Sequence, residues 1–216
     1  MLIKNATLID MKDIFKKRMD LRIKRGKIAE IASNLESEEG EDVLDVNGAI
    51  VTPGFVEIHC QIGINNQITR SENSDADDAE PINPCLRAVD ALDFTDEAFA
   101  MARRGGVTTA VCCPGNLSVI GGTCVTVKTG GQNYNERIIS EESAYMFFLN
   151  SGPRQRFGKR GVCPQTRMGS AALLRDALFK SLEYQRIAKS PKAGVFNFEK
   201  SALARVLDGM PVKFAA

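Results

Sequence analysis

The stretch "VTPGFVEIHCQIG", residues 51–63, decides how the rest of this 216-residue chain is read. Pro53-Gly54 turns the backbone, and "FVEIHCQI" after it is apolar and β-branched enough for a buried strand. Side chains two apart on a strand share a face, so Glu57, His59 and Gln61 are predicted to point one way and Cys60 the other. His59 is the sole histidine of the chain. An imidazole at position 61 would complete a two-histidine metal clamp. Gln61 offers a neutral amide oxygen instead, a poor partner for zinc.

Downstream, residues 65–84 read as a long polar loop carrying the acidic stretch "SENSDADDAE". Loops of that length are usually functional or mobile. "DFTDEAFAMARRGG" (93–106) is helical in pattern, with Asp93 or Thr95 as cap and Gly105-Gly106 as stop. Its spacing predicts that Phe94, Ala98, Met101 and Ala102 face the core. "VTTAVCCPG" (107–115) is a second buried strand, so strand, helix and strand form a βαβ unit with parallel strands. "VIGGTCVTVKTGG" (119–131) reads as a hairpin whose glycine pairs mark turns, and "SAYMFFLN" (143–150) as another apolar strand. "RMGSAALLRDALFKSLEYQRIAK" (167–189) is the strongest helical pattern, with Ala171, Leu174, Leu178 and Leu182 along one stripe. "NFEKSALARVLDG" (197–209) is a further helix, capped by Asn197 and stopped by Gly209. "MPVKFAA" opens one more strand.

Upstream, residues 1–50 alternate apolar and polar residues in short runs. "DLRIKRGKIAEIA" has Arg25-Gly26 as a hairpin turn, and "EDVLDVNGAIV" turns at Asn47-Gly48. Phe15, Leu21, Ile23, Ile28 and Ile31 are expected on one side of a small sheet. The resulting expectation is an α/β chain of two domains. Residues 1–50 form a partial, β-sandwich-like annex, and residues 51–216 begin a (β/α)8 barrel that does not close. An open parallel sheet leaves apolar faces and bare edges.

Composition narrows the function classes. A hydrophobic fraction of 44%, a charged fraction of 25% and a net charge of +1 are those of a soluble globular protein. They give no basic field for nucleic acid, and no apolar run reaches the roughly 18 residues a membrane span needs. The N-terminus lacks a secretory pattern, so the expected compartment is the cytoplasm. Cys60, Cys85, Cys112, Cys113, Cys124 and Cys163 form no CxxC pair and read as reduced structural thiols. A cysteine nucleophile among them would have only His59 as base.

These motifs together carry a resemblance. "TPGFVEIHCQIG" resembles the amidohydrolase superfamily signature, in which Pro-Gly leads into an Asp-x-His-x-His strand. "IKRGKIAEIA" and "VLDVNGAIVTPGF" are similar to the small β domain that precedes the barrel there. "ARRGGVTTAVCCPG", "VIGGTCVTVKTGG", "SGPRQRFG" and "QTRMGSAALLRDALFKSLEYQ" look closest to bacterial, imidazolonepropionase-like amidohydrolases. The resemblance implies a metal-dependent hydrolase of C–N bonds in cyclic amides or related small molecules. It implies a divalent metal, zinc, held at the C-terminal ends of barrel strands. His59 then occupies the ancestral metal position, Gln61 replaces the second ligand, and Glu57 stands where the family has Asp.

The departures set the remaining expectations. One histidine does not hold and activate a metal-bound water, so metal binding by this chain is not expected and the catalytic residues are unassigned. The chain alone is expected to be inactive, as a truncated or split product of which residues 51–216 are the N-terminal barrel portion. The alternative is a pseudoenzyme or interaction subunit that associates with a complementary chain or with its own copies. A third reading is a small-molecule binding module built from the loop at 65–84 and a basic, mobile loop at 152–161. In the latter, Arg154, Arg156, Lys159 and Arg160 could grip an anionic substrate.

Overall fold

Local turn chemistry sets the first element pair in the computed structural model, which describes residues 1–9, 16–65, 75–188 and 195–216. Arg25 and Gly26 carry φ of 52° and 71°, the paired positive values of a tight two-residue hairpin. They join β2 (Lys16–Lys24) to β3 (Lys27–Ala32), which run antiparallel. β1 (Leu2–Leu8) pairs with β2 on one side and, in parallel, with β4 (Val43–Asp45) and β5 (Ile50–Val51) on the other. Asn47-Gly48 makes the turn between β4 and β5.

These strands form one unit, Met1–Gly54. Of the expected sandwich, its described residues show one layer, a five-stranded sheet. Ala6, Leu8 and Leu21 are its buried apolar centre. The expected apolar row is corrected: Leu21 is buried, whereas Ile28 and Ile31 of β3 are exposed, because no described element covers that outer strand. Phe15 lies outside the described residues.

The second unit, Phe55–Ala216, is built on a five-stranded sheet ordered β10-β9-β8-β7-β6. Its strands are β6 (Phe55–Cys60), β7 (Val107–Cys112), β8 (Ile120–Lys128), β9 (Ile138–Phe148) and β10 (Val212–Ala215). Helix α1 (Glu97–Arg104) crosses between β6 and β7, which are parallel, so the βαβ unit is present as read. Its cap is Asp96, whose carboxylate accepts the Ala98 N–H at 2.9 Å, rather than Asp93 or Thr95. Asp93 instead closes its own short turn, accepting from the Thr95 N–H at 2.8 Å. The buried face also differs from the one expected. Phe99 is the buried residue, Phe94, Ala98 and Ala102 are half-buried, and Met101 is 62% exposed.

The expected hairpin at 119–131 is corrected too. Residues 120–128 are one strand, β8, antiparallel to both β7 and β9. Gly122 is no turn residue. It holds φ at +95°, and a Cβ there would stand 2.2 Å from the Leu86 carbonyl oxygen, which accepts the Thr123 N–H at 2.8 Å. The glycine is needed where another stretch of backbone lies against the strand. Since β9 and β10 are parallel, β6, β7, β9 and β10 all run one way, with β8 reversed among them.

Helices α2 (Tyr134–Arg137), α3 (Ser151–Gly158), α4 (Arg167–Ala188) and α5 (Phe198–Leu207) complete the unit. Asn197 caps α5 as read, accepting the Lys200 N–H at 2.8 Å. On α4, Leu174 is buried and Ala171, Leu178 and Leu182 are half-buried, again as read. Side chains alternate across the sheet. One face packs Ala110, Cys112, Val125 and Val127 on Phe99, and Ile120, Tyr145 and Phe147 on Leu174 and Leu203. The opposite face groups Cys113, Cys124, Met146 and Phe148. Full burial of a side chain such as Phe99 contributes about 2–3 kcal/mol. Among the described residues no helix is long and apolar enough to cross a membrane.

Candidate functional site

His59 stands near the C-terminal end of β6 and is exposed. Its backbone N–H donates to the Glu57 carboxylate at 2.9 Å, so Glu57 orients the strand rather than the imidazole. Pairing along β6 is irregular: Glu57 lies opposite Ala110 and Cys60 opposite Cys112, three steps against two. One inserted residue breaks the alternation, as a bulge does. Glu57 therefore falls in register with Ala110, a residue of the helix-side core, and does not share His59's face by simple alternation. Cys60 does point to the helices, as expected, its sulfur 4.0 Å from that of Cys112. Gln61 begins the turn after the strand, its carbonyl accepting the Ile64 N–H at 3.0 Å.

Across the concave face, Lys213 of β10 reaches back to β6. Its ammonium donates to the Ile58 carbonyl and to the Cys113 sulfur, the latter at 3.2 Å. The two outer strands of the five are thus joined by one side chain, a reach that a sheet curved as a half-barrel permits and a flat one does not. The Cys113 thiol is pulled down to about 6 by a hydrogen bond from Cys124, against its own burial, with further help from the Lys213 ammonium and nearby His59. Cys124, as the donor to that sulfur, is pushed up and stays a thiol. Cys113 lies between the Cys124 thiol and the Lys213 ammonium, both of which favour its thiolate. Cys112, Cys113 and Cys124 are buried, and all six cysteines are free thiols.

Does this face fit a divalent metal? Among the described residues, no three His, Cys, Asp or Glu side chains converge where an ion could sit. The strand that should present two imidazoles presents His59 and an amide. The one lowered thiol on this face, Cys113, is already engaged by the Lys213 ammonium. The donors present do not fit the metal the family resemblance implies.

The acidic and basic stretches, read separately from the sequence, meet at one carboxylate. "SGPRQRFG" is helix α3 rather than a mobile loop, capped by Asn150, whose side chain accepts the Gly152 N–H at 3.1 Å. Arg156 forms an ion pair with Asp78, and Arg160 lies 3.3 Å from the same carboxylate. Arg160 also donates to the Asp78 carbonyl at 2.6 Å. Residues 66–74, most of the expected binding loop at 65–84, lie outside the described residues.

Sequence reasoning had no access to Lys213 and treated Cys113 and Cys124 as packing residues. The available signal was slight. Cys113 follows Cys112 at the end of a strand, so one of the pair must face away from the helices.

No family model matches the chain. It is 27% identical over 184 residues to amidohydrolase tasK of Hapsidospora irregularis, covering 77% of this chain and 19% of that protein. It is 27% identical over 119 residues to the dihydroorotase of Sulfurihydrogenibium sp. (strain YO3AOP1), covering 55% of this chain and 23% of that enzyme. Among solved structures, an amidohydrolase from Thermotoga maritima MSB8 superposes on all of this chain with a TM-score of 0.88 and 25% identity. That match covers 57% of the Thermotoga chain, so the present chain spans little more than half of it and about a fifth of the two curated relatives.

Proposed function

From the amidohydrolase superfamily, which sequence relatives and fold together support, we propose that this chain supplies the first strands of a C–N hydrolase. Its substrates on this reading are cyclic amides or related compounds, and the 216-residue chain alone does not turn them over. The observation behind the second half is β6, an irregular strand that carries His59, ends at Cys60 and leaves Gln61 in the turn that follows. A metal-bound water needs about three protein ligands to be held and activated. Among the described residues no such set converges.

Metal analysis of the purified chain, with hydrolysis assays on neutral and acidic cyclic amides, tests this reading. Sub-stoichiometric metal and no turnover are expected. Stoichiometric zinc together with turnover would sink it.

A second reading, association with a complementary chain, is favoured by the two sheet edges. Among the described residues β6 and β10 each pair on one side only, and Val56, Ile58 and Phe214 on them are exposed. Open apolar edges seek further strands. Sedimentation and thermal unfolding test it: a monodisperse, cooperatively melting monomer counts against it.

A further inference from the structure

The irregular step in β6 sets two sulfurs face to face. Had the pairing with β7 stayed regular beyond Glu57 and Ala110, His59 would stand opposite Cys112. The extra residue puts Cys60 there instead, and both cysteine side chains turn into the helix-side core. Their sulfurs lie 4.0 Å apart, although the two positions are 52 apart in sequence. Neighbouring strands run about 4.8 Å apart, so the Cα atoms of direct partners fall inside the roughly 4.4–6.8 Å that a disulfide spans without backbone movement.

The two thiols are not alike. Cys60 is half-buried and Cys112 is fully buried. The hydrogen bond they share pulls the Cys60 thiol down, against its own burial, and pushes Cys112 up. Because the thiolate is the nucleophile, Cys60 is the attacking sulfur and Cys112 the one that stands ready beside it. The other close pair differs: Cys113 and Cys124 are both fully buried, and the Lys213 ammonium already occupies one side of Cys113. A partly exposed nucleophile next to a second thiol is the arrangement in which oxidation ends at a disulfide rather than running on to higher acids.

We propose that Cys60 and Cys112 form a redox modification site, closed to a disulfide by a hydroperoxide such as hydrogen peroxide. First the Cys60 thiolate attacks one peroxide oxygen. The S–O bond forms, the O–O bond breaks, and hydroxide leaves and takes up a proton as water. Then Cys112 gives up its proton and its sulfur attacks that of Cys60. The S–S bond forms, the S–O bond breaks and a second water departs. The pair loses two electrons and two protons, and the peroxide is reduced to two waters. The new bond ties β6 to β7 one residue past His59 and just before the turn at Gln61. It does not depend on hydrolysis by the chain.

Hydrogen peroxide treatment of the full, pre-reduced chain tests this. The readouts are a free-thiol count and mass spectrometry of unreduced peptides after the remaining thiols are blocked. Two of the six free thiols are expected to disappear, with a peptide pair linked through Cys60 and Cys112, and dithiothreitol should reverse both changes. Cys60→Ser and Cys112→Ser should each lower the yield of that linked pair at least tenfold, while Cys113→Ser and Cys124→Ser leave it within twofold. Cys112 is buried, so the wild-type peptide map decides the assignment even where a Cys112 variant fails to fold. Six intact thiols in about tenfold excess peroxide overturn the proposal. So does a linked Cys113–Cys124 peptide in its place, or Cys60 carried to sulfinic acid while Cys112 stays free.

Discussion

The Lys213 ammonium stands 3.2 Å from the Cys113 sulfur, although a hundred residues separate them in sequence. Each accounts for the other. A buried thiolate needs a donor and a counter-charge, and a lysine turned into a sheet's concave face needs an acceptor.

Cys113 should therefore titrate early. Its folded value of about 6 lies below the ordinary 9.0, so between those limits the native state holds a thiolate while the unfolded chain holds a thiol. The contribution to stability is full above pH 9, shrinks as pH falls and is gone below about 6. Thiolate absorbance near 240 nm, taken as the difference between wild type and Cys113→Ser, should show a midpoint near 6. Lys213→Met should move that midpoint upward, and an unmoved midpoint would remove the lysine from the account. Denaturation curves for Cys113→Ser should lose part of the rise in stability between pH 6 and 9.

Phe99 and Met101 are two positions apart on α1 and should behave as opposites. Phe99 is buried in the helix-side core and Met101 is largely exposed. Phe99→Ala is expected to cost about 3–5 kcal/mol by urea denaturation. Met101→Ala should change stability by no more than about 0.5 kcal/mol. Reversal of that order would mean that α1 buries the other face.

Gly122 and Gly26 separate backbone strain from steric conflict. Both have positive φ, yet a Cβ at Gly26 meets nothing within 4 Å, while one at Gly122 meets the Leu86 carbonyl. Gly26→Ala should cost about 1 kcal/mol, the price of the left-handed region alone. Gly122→Ala should cost several times more and loosen the segment that bonds to Thr123. Amide hydrogen exchange at Thr123 reads that loosening directly, and protection as in wild type would contradict it.

What the sequence disclosed was local. The Arg25-Gly26 hairpin, the crossover between β6 and β7, and the Asn197 cap each depend on residues a few positions apart. β8 was misread because glycine pairs signal turns, whereas Gly122 answers to Leu86, a distant part of the chain. The β6 irregularity was hidden for a related reason: a bulge belongs to two strands, and neither announces it alone. At the candidate site, His59 and Gln61 were legible as a motif. The contact between Lys213 and Cys113 exists only once the sheet has curved.

The bond from Lys213 to the Ile58 carbonyl closes a loop of 155 residues, one of the widest ring closures in the chain. Loop closure grows costlier with length, so such a contact forms after the shorter ones have paid most of the entropy. On a ribosome, β6 is made early, and its Ile58 carbonyl must wait for Lys213 until β10 has emerged. Curvature is then the last property this sheet acquires, and the groups it gathers meet only at the close of folding.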